Sequence, residues 1–148
     1  MKILSATDWS EYQLLDSGSG KRLERFGPYI LVRPDPQILW HSNLPAQQWE
    51  KANAVFRNGK WAIKGNMPGK WLLNYQNLSF WAKLTPFKHT GIFPEQTSQW
   101  DWIDAKIRSA AGPVRVLNLF AYTGIASLVA ASAGAQVTHV DASRPSIG

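Results

Sequence analysis

A β-prone run at residues 114–119 passes through a turn at residues 120–124 into a helix of small residues at 125–133. Gly134 then releases the chain into a second β-prone run at 136–140. Few arrangements satisfy strand, helix and strand in so short a stretch. The helical connection carries the chain back across the sheet, and a right-handed crossover of this kind makes the two strands parallel. Two parallel strands do not make a stable open sheet, because parallel sheets are covered by helices on both faces. The last residues, 143–148, fall where a second crossover helix should begin, so the chain is expected to be a fragment or a truncated product.

The turn itself points to a ligand. Leaving a strand and entering a helix, its backbone N–H groups face whatever lies beyond the strand end, a favourable place for an anionic group. A dinucleotide fingerprint requires three glycines, one of them so that the backbone can approach a pyrophosphate. Here only Gly124 is present, and bulky Tyr122 stands in the loop. That pattern disfavours NAD or FAD and favours a ligand with a lone carboxylate. Asp141 follows at the end of the next strand, where a carboxylate can accept hydrogen bonds from both hydroxyls of a ribose. The plainer alternative stays open at this point: Gly124 simply permits a tight turn, and Asp141 simply caps the next helix.

Upstream, residues 1–84 read as a small α+β module. Strands are expected at 12–15, 22–26 and 29–32, with residues 16–20 as a turn between the first two. The spacing of Trp49, Ala52, Val55 and Phe56 predicts a helix over 46–56. Further strands are expected at 60–63, 71–75 and 78–84. Near Thr85-Pro86 the pattern changes. Pro94 and Glu95 open a predicted helix with an apolar stripe of Trp100, Ile103, Ile107 and Ala110, stopped by Gly112-Pro113.

Charge is unevenly spread, with 11 Lys/Arg against 6 Asp/Glu in residues 1–84 and 5 against 4 in residues 85–148. A basic module favours loose contact with phosphate backbones, RNA among them, but the same charge is common on soluble proteins that bind no nucleic acid, so charge alone does not choose this partner. Of the eight Trp residues, Trp49, Trp61, Trp71 and Trp81 are expected to fill a small core rather than to stack on bases. An exposed Trp beside Arg22, Arg25 or Arg33 would reverse that. With no cysteine, disulfides and thiol nucleophiles are excluded within these residues. No His, Asp and Glu grouping has metal-ligand spacing. No apolar run approaches bilayer length and the N-terminus lacks a signal-peptide core, so no membrane partner is expected and a cytoplasmic location is.

Three strings stand in fixed order: TPFKHTGIFPEQ at residues 85–96, NLFAYTG at 118–124, and HVDAS at 139–143. Together they resemble class I S-adenosylmethionine (SAM)-dependent methyltransferases of the group related to the large-subunit ribosomal RNA cytosine-C5 methyltransferase. The resemblance implies an α/β fold in which a small α+β N-terminal module, residues 1–84, precedes the truncated start of a Rossmann-like SAM-binding domain, residues 85–148. It implies that Phe93 and Gln96 line the cofactor from the preceding helix. Phe120, Ala121, Tyr122 and Gly124 would form the methionine-side loop, and Asp141 with Ser143 would hold the ribose and adenine edge. Asn118 departs from the acidic residue common there in the broader family. Gln96 also reads as a helix-start polar residue, Lys88-His89-Thr90 equally as a basic ligand loop or a solvated one, and His139 as a sheet histidine before a catalytic base.

The family's proline-containing base-gripping motif and the thiolate that cytosine-C5 chemistry needs are both absent, so no catalytic residue is assigned. The leading expectation is a SAM-dependent methyltransferase acting on RNA, as a chain without its catalytic half. The alternative is a non-enzymatic RNA- or protein-binding module with a vestigial nucleotide-binding unit, and a third idea is a different nucleotide ligand.

Overall fold

The computed structural model describes residues 9–144. The protein is a mixed α/β chain in two compact units: one holds Trp9–Tyr75 with Trp81–Thr90, the other Gln76–Phe80 with the chain from Gly91 onward.

In the first unit, β1 (Tyr12–Gly18), β2 (Lys21–Phe26), β3 (Tyr29–Pro34), β4 (Ala54–Arg57) and β5 (Lys60–Ile63) form one sheet in chain order. All neighbours are antiparallel except β3 and β4, which run parallel. Two short turns close hairpins, Ser19-Gly20 with φ of 49° and 74°, and Asn58-Gly59 with φ of 50° and 74°. Both central residues are left-handed in each, the geometry whose twist matches that of paired strands.

Two sequence expectations fail here. The turn expected over 16–20 is shorter, because β1 continues to Gly18 across an irregularity between Leu14 and Asp16. Asp16 is not a turn residue: its buried carboxylate faces inward and accepts N–H groups from the chain that follows β3. The helix expected over 46–56 is a single turn, α1 (Ala46–Trp49), and Val55 and Phe56 belong to β4. The backbone is captured by the sheet after Glu50. Asn53 N–H donates to Ile30 O at 2.7 Å and Ile30 N–H to Asn53 Oδ1 at 2.8 Å, which starts a strand where a second helical turn would otherwise form. Trp49, Ala52 and Val55 still share the core with Leu23 and Val32, through two elements instead of one.

Glu24 and Arg33 are buried on neighbouring strands as a two-bond pair, Nε to Oε2 and Nη2 to Oε1, both at 2.7 Å. The Tyr12 hydroxyl donates to Glu24 Oε1 at 2.9 Å. Burial, and then the Glu24 charge, push the Tyr12 hydroxyl well above the usual phenol range. Arg22 pairs with Asp35 at 2.6 Å, and Arg25 donates to the carbonyls of Gly27 and Ser10. The three arginines beside which an exposed tryptophan would favour base stacking are therefore tied into the fold.

A second sheet pairs β6 (Lys70–Tyr75) with β7 (Leu78–Lys83). In β6 burial alternates strictly, with Trp71, Leu73 and Tyr75 inward. In β7 the same period puts Phe80 and Ala82 inward and Trp81 outward. Trp81 is thus not a core residue, and the Lys70 ammonium lies 4.9 Å from its ring centroid. Trp49 and Trp61 are half-buried.

The second unit contains a 3-10 turn (Pro94–Gln96), α2 (Thr97–Arg108), β8 (Arg115–Asn118), α3 (Ile125–Ser132) and β9 (Gln136–His139). In α2 Trp100 is buried and Ile103 and Ile107 are half-buried, but Ala110 lies beyond the helix end and is exposed. β8 and β9 pair in parallel, Arg115 opposite Gln136 and Asn118 opposite His139. Among the described residues no helix is long and apolar enough to cross a membrane.

Candidate functional site

The loop between β8 and α3 turns sharply because two of its residues are left-handed, Tyr122 at φ 50° and Gly124 at φ 91°. Gly124 is also tightly surrounded. A Cβ there would stand 3.1 Å from His139 Cε1, and the carbonyl of Gly124 accepts the first intrahelical bond of α3, from Leu128 N–H at 2.9 Å. The N–H groups of Ile125 and Ala126 then have no acceptor within the helix, and no side chain caps them. Such a helix start carries a partial positive charge.

Asp141, just past β9, closes the other side. Its Oδ2 accepts Tyr122 N–H at 2.7 Å and its Oδ1 accepts Ser143 N–H at 2.8 Å. These N–H groups, Ser143 first and Tyr122 second, outweigh its slight burial and hold the carboxyl below the usual carboxylate range, with His139 adding to the effect. Each oxygen keeps acceptor capacity for a further donor. The carboxylate therefore faces the bend and is ionised.

Behind this pair, Asn118 Nδ2–H donates to Ser127 Oγ at 3.0 Å, and Ser127 Oγ in turn bonds His139 Nδ1 at 3.0 Å. One chain of bonds joins β8, α3 and β9, which gives His139 a structural role. In front, Thr123 Oγ1–H donates to Gly91 O at 2.5 Å, tying the loop to the segment before the 3-10 turn. The Phe93 and Tyr122 rings lie 4.8 Å apart, tilted by 37°.

These elements enclose a cavity of about 360 Å3, within the size range of small-molecule sites. Phe93, Gln96, Phe120, Ala121, Tyr122, Gly124 and Asp141 all line it, so seven residues singled out in the sequence come together. Ser143 does not line it; it reaches the site only through its backbone N–H on Asp141. Phe93 stands just before the 3-10 turn and Gln96 is its last residue, so neither is presented by α2 itself. Trp100, Thr123, Ile125 and Ala126 also line the cavity, as does Asn118. In the sequence Trp100 belongs to a helix stripe, and a periodic pattern does not distinguish a core face from a cavity wall. Lys88 donates to Pro34 O at 3.2 Å and Thr90 is fully buried, so that segment is neither a solvated loop nor a wall of the cavity. Among the described residues no group of three side chains is placed to hold a metal ion.

The arrangement offers backbone donors for an anion, an ionised carboxylate for a pair of hydroxyls, and aromatic surface for a flat or cationic group. No family model matches the chain. It is 39% identical over 111 residues to the "Ribosomal RNA large subunit methyltransferase K/L" of Magnetococcus marinus, a match covering 75% of this chain and 14% of that protein. The crystal structure of a SAM-dependent methyltransferase from Agrobacterium tumefaciens is 43% identical with a TM-score of 0.94. That match covers all of this chain and 49% of the other. A Streptococcus mutans structure described as a SAM-dependent methyltransferase superposes with a TM-score of 0.68 at 22% identity, over 95% of this chain and 41% of its own, and shares the fold. The chain thus spans about half the length of the most similar of these structures. With the cavity at the β8 to α3 bend and these relatives in agreement, the chain is similar to SAM-dependent methyltransferases, one of them named for large-subunit ribosomal RNA.

Proposed function

We propose that this chain supplies the SAM site, at the bend between β8 and α3, of a methyltransferase that acts on RNA. The observation that carries the reading is the Asp141 carboxylate held against the Tyr122 amide at 2.7 Å on the rim of the cavity. SAM combines a carboxylate, a ribose and a sulfonium centre, and it supplies an activated methyl group when bound. The residues present fit those parts. The N–H groups at the start of α3 suit the methionine carboxylate, Asp141 suits the ribose hydroxyls, and Phe93, Phe120 and Tyr122 suit a sulfonium or a purine face. Gln96 adds a polar wall, Ala121 and Gly124 allow close approach, and Ser143 positions Asp141.

RNA as acceptor is supported by the relative named for ribosomal RNA and by the basic excess of residues 1–84. The division into a small α+β module, residues 1–84, and the start of a Rossmann-like domain, residues 85–148, belongs to the same proposal. The antiparallel strands of the first unit support its first half, and the parallel pair joined by α3 supports its second.

Calorimetric titration of the chain with SAM, S-adenosylhomocysteine and NAD tests the reading. Binding of the two sulfur ligands is expected, weakened about ten- to hundred-fold by Asp141→Ala through loss of charge-assisted hydrogen bonds. Binding of NAD alone, or of none of the three, would end it.

A further inference from the structure

The first unit contains a larger cavity, of about 580 Å3, which the methyl-transfer reading does not use. Val32 and Val55 form part of its lining, Trp49 lines it beside them, and Lys21, Arg57 and Lys64 bring positive charge to it against one acid, Glu50. Trp49 is held in place: its indole N–H donates to Asp16 Oδ2 at 3.2 Å, and it packs against the cluster of Leu23, Val32 and Ala52. Asp16 also takes the N–H groups of Leu44 at 2.8 Å and Asn43 at 3.3 Å, so one buried carboxylate fixes both the tryptophan and the approach to it.

The charges are as telling as the ring. Arg22 and Arg33 are neutralised by Asp35 and Glu24, whereas Lys21 and Arg57 pair with no carboxylate among the described residues, and the Lys64 ammonium donates to the Glu50 carbonyl at 2.8 Å. Cations left unpaired around an apolar cavity favour an anion with an apolar body. A nucleotide has both, since its base buries against aromatic surface and its phosphate meets lysine or arginine.

We infer that this cavity is a second ligand site, which takes one nucleotide of single-stranded RNA, its base against Trp49 and its phosphates on Lys21, Arg57 and Lys64. The inference rests on the RNA part of the proposed function and adds a cavity, distinct from the one proposed for the methyl donor, at which the acceptor strand is gripped.

The test uses the full chain and a fluorescein-labelled oligouridine ten-mer in which one residue is 4-thiouridine. Binding is expected at low ionic strength, with photo-crosslinks mapping to the peptide that contains Trp49. Lys21→Glu with Arg57→Glu should weaken binding at least about tenfold and flatten the log-affinity against log-salt slope by roughly 1.4, two phosphate contacts' worth. Ala46→Glu, an exposed position on the cavity rim, should weaken binding without any need to disturb the sheet, and thermal melts of each variant report folding. Affinity unchanged in both folded variants, crosslinks confined elsewhere, no binding at low salt, or equal displacement by an oligoglutamate peptide would each overturn the site, the last pointing to an acidic protein partner. S-adenosylhomocysteine titrations separate the two readings. The cavity variants should bind it as the parent does, and a parent that fails to bind it defeats the methyltransferase reading while the crosslink still decides this one.

Discussion

Phe120 is 92% exposed yet lines the smaller cavity. A side chain so placed contributes little to folding, since almost none of its apolar surface leaves water. Phe120→Ala should therefore leave thermal stability within about 0.5 kcal/mol of the parent while lowering S-adenosylhomocysteine affinity severalfold; calorimetry and a melt on the same sample separate the two. Arg33 is the opposite case. It lies in a basic segment, and nothing in one strand's residues announces that Glu24 comes within reach on the next. Arg33→Met leaves Glu24 charged and buried, which costs about 3–5 kcal/mol. Urea denaturation should show that loss, with part of it recovered when Glu24→Gln is added.

At the scale of elements, those whose periodicity is reinforced by a stop signal were legible. β5, β6 and β7 begin and end within a residue of expectation because Asn58-Gly59 and the alternation of Trp71, Leu73 and Tyr75 are local facts. The helix expected over 46–56 gives way to α1 and β4 because Trp49, Ala52, Val55 and Phe56 fit a helical face and also a short turn leading into a strand. Only the bonds between Asn53 and Ile30 choose between them. The bend after β8 was readable from its glycine, and its cost can be measured. Gly124→Ala forces a Cβ onto a left-handed residue and to within 3.1 Å of His139 Cε1. A loss of about 1–2 kcal/mol is expected, with weaker S-adenosylhomocysteine binding as α3 shifts; an unchanged melting temperature would contradict the geometry.

At the scale of the whole molecule, three carboxyl groups among the described residues are held below their ordinary range. For Asp16 and for Asp35 burial opposes ionisation and is outweighed, by the N–H groups of Leu44, Asn43 and Ser17 and the Trp49 indole in one case and by Arg22 in the other. For Asp141 the N–H groups of Ser143 and Tyr122 dominate. Depressed folded values mean that their stabilisation is fully present above the unfolded value of about 3.9 and is lost as pH falls through the lower folded values. Melts followed by tryptophan fluorescence should thus be flat from neutral pH down to about 4 in this respect and fall steeply below it, and Asp16→Asn should make the acid decline shallower. Taken alone, the sequence determined the parallel strand, helix and strand unit, the glycine at its bend and the acid that follows, because each depends on residues near one another in the chain. Tertiary structure decided which cations are free, which tryptophan faces a cavity, and that Asp141 turns back to Tyr122, because each of these depends on partners brought together only by folding.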